Sequence, residues 1–201
     1  ICMGLVGGNL RAILTEEEGK TIQYWDLKAQ EIIGTIDITA EETNVPLFGN
    51  EAEGCVIDDE NEHIIISREG MRGILNAYDA NTLEFIKVID SRSGNIGGDP
   101  EGVTVYKTTD KEGFIIVSSQ GDSKFNLYSR QFPFDYIRSF TVNDVTDTDG
   151  IDVTNKSIDG LFPQGFLVVQ DGYNSPDNQN FKIVDMDQVL KKKVMNPGST
   201  D

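Results

Sequence analysis

Glu53-Gly54, Glu101-Gly102 and Asp149-Gly150 each set a carboxylate directly before a glycine, at the head of a run rich in β-branched and aromatic residues. The glycines stand 48 residues apart each time (102 − 54 and 150 − 102). A period near 50, with several short strands in each unit, is the pattern of propeller blades, whose equivalent positions gather around one axis. Three carboxylates brought to one axis repel, because like unit charges at about 4 Å cost roughly 4 kcal/mol at an effective dielectric near 20. Hard cations relieve that cost, and Ca²⁺ takes about six to eight oxygen ligands. Glu69, Asp99 and the amide oxygen of Gln120 fall in turns of the same class and could add to the shell. The plainer reading is that acid-glycine is a turn dipeptide repeated with each blade.

Other chemistry is scarce. The chain of 201 residues carries 34 acidic and 17 basic side chains, a formal charge of −17. That balance argues against nucleic acid or an anionic membrane as partner and suits cations. His63 is the only histidine and lies in a strand-like stretch, so it reads as a packed or surface residue. One histidine gives neither a histidine-based nucleophile site nor a multi-histidine zinc site. Cys2 and Cys55 are the only cysteines, too few for a disulfide framework or a thiolate metal cluster. No apolar stretch is long enough to span a bilayer. Ile1 to Val6 reads as the middle of a strand, which leads us to expect a fragment with any targeting sequence upstream.

The elements that must position these residues are strands. Runs such as Cys55-Val56-Ile57, His63 to Ser67, Ile74 to Tyr78 and Leu83 to Ile89 are separated by Asp, Asn and Gly clusters, a hairpin signal. The order recurs from Glu101 to Val142 and again from Asp149 to Val184, with a partial first unit over Leu10 to Ile38. The expected fold is all-β: four-stranded antiparallel blades over segments 1-48, 49-96, 97-145 and 146-189, an incomplete propeller in a single domain. Met186 to Val194 reads as a short terminal helix or unpaired tail, with 190-201 as a C-terminal tail and Lys191-Lys192-Lys193 solvated.

Asp99-Pro100-Glu101-Gly102-Val103, Ser118-Ser119-Gln120-Gly121-Asp122-Ser123, Asp147-Thr148-Asp149-Gly150-Ile151-Asp152-Val153, Gln170-Asp171-Gly172 and Asn178-Gln179-Asn180-Phe181-Lys182 stand in the order and spacing of the β-propeller phytases. The resemblance runs from about Glu16 to Val189, and Glu53-Gly54 with Asp58-Asp59-Glu60 adds to it upstream of these five motifs. It implies part of a six-bladed, calcium-dependent phosphomonoester hydrolase, a 3-phytase that releases phosphate from phytate by attack of a metal-activated water. It further implies that Glu53, Glu69, Asp99, Glu101, Gln120 and Asp149 hold several Ca²⁺ ions, with Glu53, Glu101 and Asp149 as the catalytic core. Asp171 and Asn174 match a loop implicated in a separate, stabilising calcium site, although Tyr173 stands where the family often has an acid.

Two departures accompany the resemblance. The family's phosphate-binding lysine falls on Glu17, leaving Lys20 as a substitute, and the family's N-terminal blades with their basic substrate contacts have no counterpart here. The alternatives are a non-catalytic calcium-binding interaction propeller, an inactive phytase fragment, or a calcium-dependent lactonase-type propeller. The resemblance also implies a secreted or periplasmic protein, monomeric when complete, whose partner is a small-molecule inositol phosphate.

Overall fold

A computed structural model describes residues 1–16, 19–39, 51–158 and 160–191. Its first sheet holds β1 (Cys2–Val6), β2 (Asn9–Leu14), β3 (Thr21–Asp26) and β4 (Glu31–Asp37), and its second β5 (Ala52–Asp58), β6 (His63–Arg68), β7 (Ile74–Asp79) and β8 (Phe85–Ser91). The third holds β9 (Asp99–Lys107), β10 (Gly113–Gln120), β11 (Lys124–Ser129) and β12 (Tyr136–Phe140). The fourth has β13 (Ile151–Thr154), β14 (Phe166–Asp171) and β15 (Asn180–Asp185), followed by helix α1 (Met186–Lys191). Every sheet is an antiparallel meander in chain order, as short hairpin connections require.

Two expectations need correction. The first unit is not partial: Gly7 and Gly8, both at positive φ, supply a two-residue turn that pairs β1 with β2 from Cys2↔Ile13 to Val6↔Asn9. The fourth unit, conversely, has three strands among the described residues. The terminal helix is described as far as Lys191; Glu17, Lys192, Lys193 and the rest of the expected tail lie outside the described residues.

The innermost strands β1, β5, β9 and β13 pack against one another in that order. Between them lie three apolar cores, each shared by two successive sheets. Ile13, Tyr24, Ile64 and Ile66 meet between the first and second. Ile65, Leu75, Ile115, Val117 and Tyr128 meet between the second and third, and Ile116, Phe125, Leu127, Leu167 and Val169 between the third and fourth. The alternation explains the run Ile64-Ile65-Ile66, all three buried: successive side chains point to opposite faces, and both faces are covered by a neighbouring blade. His63 packs edge-on against Phe134 at 5.1 Å, and burial lowers its pKa.

The sheets are also tied by polar links. Arg130 of the third blade has no exposed surface and holds the buried Asp58 of the second through Nε and Nη2; its Nη1 serves the carbonyls of Thr109, Asp110 and Glu112. A disulfide joins Cys2 to Cys55, with Cα atoms 5.8 Å apart. This corrects the expectation drawn from cysteine count. Two cysteines make no framework, but blade packing brings β1 and β5 side by side and so gives each thiol a partner.

Candidate functional site

Two of the three acid-glycine pairs are β-bulges. On β5, Ala52 pairs with Arg68 and Cys55 with Ile66, so Glu53 and Gly54 together face the single residue Ser67. On β9, Pro100 pairs with Ser119 and Val103 with Val117, so Glu101 and Gly102 together face Ser118. Two residues opposite one re-aim a side chain and add local twist, and bulges of this kind cluster beside active sites. The serine opposite each bulge serves the exposed backbone. Ser67 Oγ accepts the Gly54 N–H at 2.8 Å and donates to the Glu101 carbonyl of the next blade; Ser118 Oγ lies 3.4 Å from the Gly102 carbonyl. In the fourth blade Asp149 and Gly150 precede β13, and Gln170 takes the serine's part: its Oε1 accepts the Asp149 N–H at 2.8 Å.

The glycines let neighbouring inner strands close up. A β-carbon on Gly54 would overlap the Glu101 carbonyl oxygen and stand 2.7 Å from Ser67 Oγ. One on Gly102 would stand 2.8 Å from the Asp149 carbonyl oxygen and 2.7 Å from the Ile151 nitrogen. Close backbone approach is therefore the reason for glycine at these two positions, and it draws the preceding carboxylates together.

Glu53, Glu101 and Asp149 line one cleft with their glycines and with Cys55, Val103 and Ile151. Glu101 is buried, at 6 % exposure, and its pKa is pushed up to about 8, first by burial and then by the charges of Glu53, Glu69, Asp149 and Asp99. Glu53 is raised as well, by burial and then by Glu69, Glu51 and Asp149, while a hydrogen bond with Glu101 pulls it down. Glu69 is raised by burial, Glu51 and Asp99. Without a cation, the protein therefore answers the crowding of negative charge with a proton on Glu101, hydrogen-bonded to Glu53.

The remaining expected residues sit as follows. Gln120 reaches Asp149 Oδ1 through its amide and pairs by backbone with Asp99, whose carboxylate is held by Arg92. Lys20, exposed, acts on the Asp37 carboxylate of its own blade. Asp171 is buried; one carboxylate oxygen accepts the Thr146 N–H at 3.3 Å, while Oδ2 has no hydrogen-bond partner and lies 3.4 Å from Lys182 Nζ. Asn174 instead donates to the Asn178 carbonyl within its own loop.

Glu51 was missed in the sequence. Its carboxylate can come within 4.8 Å of those of Glu53 and Glu69, a group that could hold a metal ion. The signal was present: Glu51, Asp99 and Asp147 each stand two residues before Glu53, Glu101 and Asp149, so the repeat is acid-x-acid-Gly. Glu51 immediately precedes β5, and its carbonyl accepts the Glu69 N–H at 3.1 Å, which sets it beside Glu53 and Glu69. This donor set suits Ca²⁺, being carboxylate and amide oxygen on separate turns, with surplus negative charge that otherwise holds a proton.

Blades in chain order, apolar core between successive sheets and acids from three blades at a shared cleft define a propeller-type protein with a carboxylate mouth. A model of the family described as Phytase matches residues 5–197, and the chain belongs to that family. It is similar to the 3-phytase of Bacillus subtilis (strain 168), with 31% identity over 198 residues, covering 92% of this chain and 50% of that protein. The chain thus spans about half the length of this curated relative. Among solved structures, "Kuenenia stuttgartiensis Hydrazine Synthase" superposes with a TM-score of 0.65 at 14% identity, over 93% of this chain and 46% of that one. At that identity the likeness concerns the fold alone.

Proposed function

We propose that this chain forms the carboxylate side of the active site of a calcium-dependent phosphomonoester hydrolase acting on phytate. The observation that carries the reading is the convergence of Glu53, Glu101 and Asp149, from three successive blades, on one cleft where Glu101 keeps a proton up to about pH 8. Phytate is polyanionic and would be repelled by bare carboxylates; their neutralisation is therefore a condition of substrate binding. Glu51, Glu53, Glu69, Asp99, Glu101 and Asp149 would hold calcium, with the Gln120 amide oxygen as a further ligand. Bound calcium supplies Lewis acidity toward phosphoryl oxygens and lowers the pKa of a coordinated water.

The chain's own residues do the positioning. Bulges at Glu53 and Glu101 aim both carboxylates to one side, Ser67 and Gln170 fix the backbone around them, and Glu101 surrenders its proton when a cation binds. Asp171 Oδ2, buried without a hydrogen bond and facing only the Lys182 ammonium at 3.4 Å, supports a second, stabilising calcium position, with Lys182 displaced and Asn174 turning from its loop carbonyl to join it. The Cys2–Cys55 disulfide supports a secreted or periplasmic protein, since such bonds persist in oxidising compartments. No helix among the described residues is long and apolar enough to cross a membrane. The test is phosphate release from phytate by the intact protein across a calcium titration. Release that rises with calcium and stops in EDTA supports the reading; calcium-dependent stabilisation without any release assigns the site to a binding propeller.

A further inference from the structure

Arg92 follows β8 and stands among the carboxylates, paired with Asp99. Its backbone N–H donates to the carbonyls of Arg72 at 2.7 Å and Gly73 at 3.0 Å, pinning it to the β6–β7 turn that carries Glu69. Its Nη2 donates to Asp99 and to the Gly70 carbonyl at 3.2 Å. Among the described residues, Nε and Nη1 make no hydrogen bond. The guanidinium opens on a shallow, open depression lined by Glu69, Gly70, Met71, Arg92 and Asp99. It is one-third exposed, so it can exchange partners without desolvation.

Resting on the phytate reading, we propose that Arg92 is a substrate-positioning residue that grips a phosphoryl group of the bound substrate at the rim of the carboxylate mouth. Guanidinium presents a planar fork of donors that matches phosphate oxygens in pairs. Arg92 and a cation compete for the same Asp99 carboxylate, so Arg92 loses that partner when Asp99 turns to metal. It then has donors free toward an anion, at the moment when neutralised carboxylates allow one to approach. The basic contact thus comes from within this chain, from a residue that the expected lysine position at Glu17 does not supply.

The test compares wild-type intact protein with Arg92→Ala and Arg92→Lys. Steady-state phytate hydrolysis, calcium binding by calorimetry, and binding of inorganic phosphate to the calcium-loaded protein are measured. Arg92→Ala should raise KM about tenfold or more, with kcat lowered by less than KM is raised, and should weaken inorganic phosphate by a similar factor. Arg92→Lys should recover part of both losses, and Arg92→Ala should bind calcium at least as tightly as wild type. An unchanged KM and phosphate affinity in Arg92→Ala overturns the inference, as does a loss confined to kcat or a tenfold weakening of calcium. If wild type releases no phosphate from phytate, the functional reading fails. The Arg92 assignment is then decided by inorganic phosphate alone, standing if Arg92→Ala weakens its binding and falling if it does not.

Discussion

The carbonyl oxygen of Glu101 occupies the space that a side chain on Gly54 would need. One relationship thus links the glycine of one blade to the buried carboxylic acid of the next. Gly54→Ala should force the inner strands apart, costing about 1–3 kcal/mol of stability by overpacking. It should also weaken calcium binding, because Glu53 and Glu101 separate together. Chemical denaturation and a calcium titration of the variant measure both effects; an alanine tolerated without loss in either would contradict the packing role.

Arg130 and Asp58 lock the second blade to the third in full burial. Replacing Asp58 by Asn leaves the buried guanidinium with the partly exposed Glu60 carboxylate, which its Nη2 also reaches, as its remaining anionic partner, and should cost about 3 kcal/mol or more. Its midpoint in urea should fall accordingly, with calcium affinity little altered. A shift of less than about 1 kcal/mol would show that the remaining carbonyl contacts and Glu60 suffice.

The disulfide closes a sequence separation of 53 residues between the first and second blades. Cys55→Ser, or wild type under a strong reductant, should lose about 2–4 kcal/mol. The reductant should leave Cys55→Ser unaffected, which separates loss of the bond from other effects of reduction.

Glu101 sets a pH dependence of unusual sign. Its folded pKa, about 8, lies above the 4.5 of an ordinary glutamate, so between those values the native state binds the extra proton. Stability of the calcium-free protein should therefore fall as pH rises from about 5 to 8. Saturating calcium should flatten that slope, because cation binding replaces the proton, and Glu101→Gln should remove its own share of it. Melting curves across this range, with and without calcium, read the effect directly; a calcium-free melting temperature that rises from pH 5 to pH 8 would contradict it.

Much of the fold was legible because β-branched runs between Asp, Asn and Gly clusters carry strand and turn preferences locally. The limits of β6 and β7 fall within a residue of those runs. The completeness of the first blade was signalled by Gly7-Gly8, a hairpin dipeptide, but a strand at a chain's first residues offers only half a pattern. Strand register cannot be read from spacing, so the bulges, the serines opposite them and the Cys2–Cys55 pairing were hidden. Glu51 could have been found from the period-two acids. Arg92 could not, since its place at Asp99 depends on how the β8–β9 connection folds over the β6–β7 turn.

The most direct measurement is the rate of phosphate release from phytate by the intact protein and by Glu101→Gln, each in saturating calcium and in EDTA. Wild type should be active only with calcium. Glu101→Gln should fall about a hundredfold or more, roughly 2.7 kcal/mol in the barrier, while remaining folded. Full activity of wild type in EDTA, or of Glu101→Gln in calcium, would contradict a calcium site built on this carboxylate.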